Sequence, residues 1–199
     1  MIKFNNINVS APYKNFKKYY KEDLKKNQKF IEAIAISSYD SLLNEVDSRF
    51  VNLKYIDGED WIFFTNYSSP KSIQFESNNQ VACIFFWDSI NVQIRIKAKI
   101  NRLDATISDK YFKNREKHKN ALAISSYQSK EINSYQAIVD RYNSVLENNH
   151  DLTKRPSFWG GYSMKPYLFE FWEGHSSRLN KRVCYKKNKS KWDKFFLQP

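Results

Sequence analysis

The run Val92-Gln93-Ile94-Arg95-Ile96-Lys97-Ala98-Lys99-Ile100 alternates apolar and polar residues over nine positions. A period of two puts five apolar side chains on one face of a strand and four polar ones on the other, the pattern of a strand buried on one side only. Upstream, residues 33–38, 50–56, 61–65 and 81–87 are further β-rich runs, and Asp57-Gly58 between the second and third is a hairpin turn signal. An antiparallel sheet is therefore predicted between residues 33 and 104. Within it, Ser69-Pro70 places an N-cap before a proline at the first helical position, which opens a short helix to about Asn78.

Working outward, residues 13–26 carry Phe16, Tyr19, Tyr20 and Leu24 at helical spacing, which predicts an amphipathic helix in an N-terminal arm over residues 1–30. Helical patterns run from Ser108 onward and over 134–148. Strands return at 162–172, 182–187 and 192–197, the last two joined by Lys186-Lys187-Asn188-Lys189-Ser190-Lys191, read as a hairpin loop. Strands, helices and strands again in one chain predict an α+β protein, a single domain over 1–199 built on an antiparallel barrel.

The composition agrees with a folded domain. At 199 residues, with 41% hydrophobic and 17% aromatic residues, the chain can bury a sizeable core. Its longest apolar stretch, 81–87, falls far short of the roughly 20 residues that span a bilayer, and its start lacks the apolar core of a signal peptide, so a soluble cytoplasmic protein is expected. Cys83 and Cys184 lie in apolar contexts without a CxxC, and His118, His150 and His175 are not spaced as metal ligands, which predicts neither a disulfide nor a metal site. Four glycines, only two of them adjacent, leave no material for a Walker or Rossmann phosphate loop. The net charge of +12 has two readings, compositional drift toward lysine or an anionic partner such as a phosphorylated small molecule. A nucleic-acid role would rest on charge alone, so neither nucleic acid nor membrane is expected as a partner.

Only eight of the 33 basic residues are arginines, so their places are informative. On a strand starting near Arg178, residues Arg178, Asn180 and Arg182 would share one face, where two guanidinium forks converge on an anion. These residues belong to a set of blocks in order along the chain. Arg49-Phe50-Val51-Asn52-Leu53-Lys54, Phe64-Thr65-Asn66 with Ser69-Pro70-Lys71, Trp87 followed by Gln93, Tyr111-Phe112-x-x-Arg115, Gln128-Ser129, Trp159-Gly160-Gly161-Tyr162 and Phe169-Glu170-Phe171-Trp172-Glu173-Gly174 lead to Arg178-Leu179-Asn180-Lys181-Arg182 and the end at Pro199. In this order and spacing the chain, from about Tyr13 to Pro199, resembles the pyridoxine/pyridoxamine 5′-phosphate oxidases.

The resemblance implies an FMN-binding split β-barrel acting as a homodimer, with the flavin between subunits. It implies an oxidase that converts pyridoxamine or pyridoxine 5′-phosphate to pyridoxal 5′-phosphate with O2 as acceptor. Carried over by position, Arg49 and Lys71 hold the FMN phosphate, with Thr65, Gln93, Gln128, Ser129, Trp172 and Arg182 around the rest of the cofactor. Lys54 borders both ligands. Tyr111, Arg115 and Lys119 join it at the substrate phosphate, while Arg178, the expected catalytic residue, and Asn180 face the reacting end. Four of the eight arginines (49, 115, 178 and 182) thus fall on anion-site positions, where bidentate geometry favours Arg over Lys.

Three departures from the family pattern bear on activity. Pro70 replaces an arginine of Ser-Arg-Lys, Asn180 replaces the histidine of Arg-Leu-His and cannot titrate, and Lys119 replaces a serine. They leave open a relative with a changed substrate, such as the phenazine-pathway oxidases, and a flavin- or vitamer-binding protein without turnover.

Overall fold

The structure, a computed structural model, describes residues 1–148 and 151–199, so His150 lies outside the described residues. Ten strands join in one sheet: β1 (Lys3–Asn5), β2 (Ala33–Asp40), β3 (Glu45–Asn52), β4 (Tyr55–Asp57), β5 (Asp60–Asn66), β6 (Gln80–Trp87), β7 (Val92–Arg102), β8 (Trp159–Glu173), β9 (Lys181–Asn188) and β10 (Lys191–Leu197). The α-helices of the described residues are α1 (Ala11–Lys25), α2 (Pro70–Ser77), α3 (Ala105–Lys113), α4 (Lys117–Ser125) and α5 (Tyr135–Glu147), and a single 3-10 turn covers Asp88–Ile90. The sheet runs β1-β4-β5-β8-β7-β6-β2-β3 and is antiparallel except for the β1–β4 pair. It does not close on itself, since its end strands β1 and β3 are not hydrogen-bonded neighbours. This is the α+β split barrel.

The alternating run behaves as its period demands. Val92, Ile94, Ile96, Ala98 and Ile100 are all buried, while Arg95, Lys97 and Lys99 are exposed on the other face. Strand β7 sits between β6 and β8, so both its edges are satisfied. The 15-residue β8 has two partners along one edge: residues 159–164 pair with β5 and residues 168–173 with β9. Helix α1 closes the barrel interior by inserting Phe16, which lies 4.5 Å from the Trp61 ring, 5.4 Å from Phe85 and 5.5 Å from Trp87.

Several local expectations are corrected. Residues 50–56 are not one strand: β3 ends at Asn52, and the buried Leu53 turns the chain into β4. On α1 the inner face carries Tyr13, Phe16, Tyr20 and Asp23, and Leu24 is exposed. Ser69 precedes α2 as foreseen, yet its hydroxyl donates back to the Asn66 carbonyl (2.8 Å) instead of capping a helix amide. The lysine-rich hairpin narrows to Lys189 and Ser190 between β9 and β10. Both cysteines are buried and free.

Candidate functional site

A cavity of about 1330 Å³ opens where the barrel is split, bounded by β3, β4, β5 and the helices α2, α3 and α4. Lys54, Thr65, Lys71, Tyr111, Arg115 and Lys119 all line it, and Gln128 joins them from the segment after α4. Seven residues singled out from the sequence thus meet at one place.

One end of the cavity is the start of α2, where helix amides without intrahelical partners favour anions. Lys71, in the first turn, is buried, and its Nζ donates to the hydroxyls of Ser69 (3.1 Å) and Thr65 (3.4 Å). Arg49 points inward from β3 and donates to Ser38 Oγ (2.6 Å), Gln74 Oε1 (3.0 Å) and Asp47. Burial, reinforced by the Arg49 charge and opposed by Asp47, brings the Lys71 ammonium down to about 8. Lys71 itself has no carboxylate partner among the described residues. A buried ammonium with only hydroxyl partners, beside a guanidinium at a helix start, is a built place for a phosphate. The side chain of Gln128 accepts from the Thr65 hydroxyl and from the Asn66 amide, both at 3.4 Å, and so closes this end.

The other end is aromatic and cationic. Phe64 and Tyr111 stack 3.7 Å apart at 3°, with Trp159 nearly parallel to them at 5.6 Å from Phe64. The Arg115 guanidinium lies 5.1 Å from the Trp159 ring centre. Burial lowers the Lys54 ammonium; Glu32 opposes that shift, and the charges of Lys119 and Arg115 add to it. Burial likewise lowers Arg115 and raises the Tyr111 phenol. Lys119 is tied to Glu116 at 2.8 Å. Three cations crowd here against few carboxylates, which is costly unless an anion joins them.

The remaining candidates are elsewhere. Gln93, Trp172 and Arg182 are direct cross-strand neighbours on β7, β8 and β9, in a row on the outer sheet face. Arg182 donates from Nε (2.8 Å) and Nη2 (2.6 Å) to one oxygen of Glu170, and Arg95 takes the other oxygen at 2.8 Å. Ser129 sits in an exposed turn at φ 67°. Arg178 and Arg182 do not share a strand face. Strand β9 begins only at Lys181, and Arg178 occupies the preceding turn at φ 61°, a left-handed conformation that local hydrogen bonds must hold. Its amide donates to the His175 carbonyl (2.9 Å), and the Asn180 side chain accepts from the His175 amide (3.0 Å). Sequence reasoning missed Glu170 as the carboxylate that orients Arg182, and missed Phe64 and Trp159 as the walls of the aromatic end. Spacing carried a signal only for Glu170, two residues before Trp172 on the same strand face.

Among the described residues, no group of three or more His, Cys, Asp or Glu could hold a metal, and no helix is long and apolar enough to cross a membrane. The chain is 32% identical to the pyridoxine/pyridoxamine 5′-phosphate oxidase of Colwellia psychrerythraea, over 96% of this chain and 88% of the relative. It is 34% identical to that of Haemophilus influenzae, over 94% and 89%. Among solved structures, PhzG from Burkholderia lata 383, determined with tetrahydrophenazine-1-carboxylic acid, superposes with a TM-score of 0.89 at 25% identity, over 96% of this chain and 93% of that one. An FMN-binding protein of Nostoc punctiforme shares the fold, with a TM-score of 0.79 at 11% identity, over 96% of this chain and 100% of that one. Residues 33–149 match the profile of the pyridoxamine 5′-phosphate oxidases, and residues 159–199 match that of the pyridoxine 5′-phosphate oxidase C-terminal dimerisation region. With both profiles and full-length relatives matched, the chain belongs to the pyridoxine/pyridoxamine 5′-phosphate oxidase family.

Proposed function

We propose that this protein is a cytoplasmic FMN-dependent oxidase that converts pyridoxamine or pyridoxine 5′-phosphate to pyridoxal 5′-phosphate, and that residues 1–199 form a single FMN-binding unit working as a homodimer. The observation that carries the reading is the pair of cationic ends in one cavity, Lys71 at one end with the Arg49 charge behind it, and Lys54, Arg115 and Lys119 at the other. Two phosphate-sized anion sites in one cavity suit a phosphorylated cofactor beside a phosphorylated substrate.

The residues fit FMN. Lys71 and Arg49 would hold its phosphate at the start of α2, and the buried ammonium lacks the anion that such a group would supply. Thr65, Gln128 and Ser129 would border it on the same chain. Gln93, Trp172 and Arg182 stand at the far end of β8 from Trp159, in a row on the outer sheet face, and none of them lines the cavity. They would therefore serve the flavin of a second copy. Exposed apolar side chains on the same outer face, Val46, Phe50 and Phe86, support burial of that face against a partner.

Flavin, when bound, supplies two-electron oxidation of the substrate C4′ carbon, with O2 as final acceptor. The chain's own residues bind and orient. Lys54, Tyr111, Arg115 and Lys119 would grip the substrate phosphate, and Phe64 and Trp159 keep Tyr111 and Arg115 in place. Arg178 would orient the reacting amine or alcohol, and Asn180 holds the turn that presents it. A substrate changed toward phenazine precursors is the second reading, favoured by the likeness to PhzG and by Asn180. The three-cation end, suited to a phosphate, weighs against it.

The test is spectroscopic. Purified protein should show a flavin band that bleaches when pyridoxamine 5′-phosphate is added without oxygen and recovers in air. A yellow protein that does not bleach moves the reading to another substrate or to a binding role. Colourless protein that takes up no added FMN overturns it.

A further inference from the structure

Asn120, on α4, is 1% exposed, and every hydrogen-bonding group of its side chain but one acceptor lone pair is in use. Nδ2 donates to the Phe112 carbonyl in α3 and to the Leu152 carbonyl in the segment before β8, both at 2.8 Å. With both N–H groups committed to carbonyls, the amide has one possible orientation, and Oδ1 must face the Arg115 guanidinium, from which it accepts at 3.2 Å. Arg115 Nη1 also donates to the Lys119 carbonyl at 2.7 Å. Both protons of Nη1 are thereby consumed within the protein. The Nη2 and Nε edge is left without a protein acceptor among the described residues, and that edge is the fork that meets a phosphate in bidentate fashion. The Trp159 face fixes the plane of the guanidinium.

We propose that Asn120 is a positioning residue for phosphate recognition: it occupies one edge of Arg115 so that the other is presented to the phosphate of the substrate. This rests on the reading of Arg115 as a substrate-phosphate ligand. Such a buried amide joins three elements, α3, α4 and the segment leading to β8, so the direction of the guanidinium is inherited from the fold and not chosen among rotamers on binding.

The probe is 4′-deoxypyridoxine 5′-phosphate, which has no oxidisable group at C4′, titrated calorimetrically into the FMN-loaded protein. Asn120→Ala is expected to weaken binding about tenfold, and in turnover of pyridoxamine 5′-phosphate the loss falls on KM and not on kcat. In an Arg115→Ala background, the same Asn120→Ala change is expected to have no further effect, because the residue acts only through that guanidinium. A merely structural role would give the same loss in both backgrounds, and that result, or unchanged affinity in the single variant, overturns the proposal. Asn120→Ser keeps a polar group at the position if the alanine variant does not fold; its hydroxyl is too short to span the Phe112 and Leu152 carbonyls and the Arg115 guanidinium together, so weaker binding of the probe is expected, and unaltered affinity overturns the inference. Failure of the parent protein to bind the probe at all would instead overturn the oxidase reading of the cavity, and this inference with it.

Discussion

The cavity and the outer sheet row treat their cations in opposite ways. At the α2 end Lys71 is buried with hydroxyl partners alone, and at the aromatic end burial lowers both Lys54 and Arg115, with the charges of Lys119 and Arg115 adding to the shift of Lys54. On the outer face Arg182 and Arg95 share the two oxygens of Glu170, whose side chain is only 6% exposed. A cation left unneutralised inside a cavity marks the place of an incoming anion. An arginine already bound to a carboxylate is spent as a charge and retained as a shaped donor, fit to touch a neutral ring edge.

The contrast can be broken by substitution. Lys71→Ala removes a charge-assisted contact worth about 1.5–3 kcal/mol, so FMN should bind roughly 10- to 100-fold more weakly, as read by flavin fluorescence on titration. If the affinity holds, the α2 end is not the phosphate site. Arg182→Ala should also deplete bound FMN, by about tenfold, while the fold survives because Glu170 keeps Arg95 as its partner. Unchanged flavin content would remove the outer row from the site.

The pH response of Lys71 sharpens the same comparison. Its pKa is lowered from 10.5 to about 8 in the folded chain, so between those values the unfolded chain holds more protons and the apoprotein should gain stability as pH rises from about 8 to 10.5. Flavin affinity should fall over the same rise, because the neutral amine no longer attracts a phosphate. Opposite slopes in melting temperature and in flavin affinity are thus expected, and parallel ones would mean that Lys71 is not the group that titrates. The smallest effect belongs to the turn before β9. Asn180→His should raise turnover of pyridoxine 5′-phosphate by roughly two- to fivefold with flavin content unchanged, as one added hydrogen bond would. A variant that keeps FMN and gains nothing would leave Asn180 with its structural role alone.

How far the sequence could be read depended on whether a feature was local. The alternation of β7, the Asp57-Gly58 turn and the Ser69-Pro70 start of α2 are set by neighbouring residues, and each lies where its pattern puts it. The break between β3 and β4 and the turn at Arg178 are set by distant pairing and by a backbone conformation that no periodicity announces. Ten of the fourteen site residues that resemblance supplied gather in two places, seven around the cavity and three in the outer row, while Arg49, Ser129, Arg178 and Asn180 line neither. Their supporting partners, Asn120, Glu170 and Trp159, were legible only once residues from far along the chain were side by side.

Strand β8 has a consequence for how the protein is made. It provides the partner of β5, from about a hundred residues earlier, of β7 across three helices, and of β9 after it. Such pairings are of high contact order and slow to form, because long loops must close before any contact rewards them. During synthesis β5 and β7 must each wait with one unpaired edge until β8, up to residues near 173, emerges. A chain terminated before Trp159 would not be a weaker enzyme but two separate sheets, β1-β4-β5 and β7-β6-β2-β3, each with a newly opened edge and prone to aggregate.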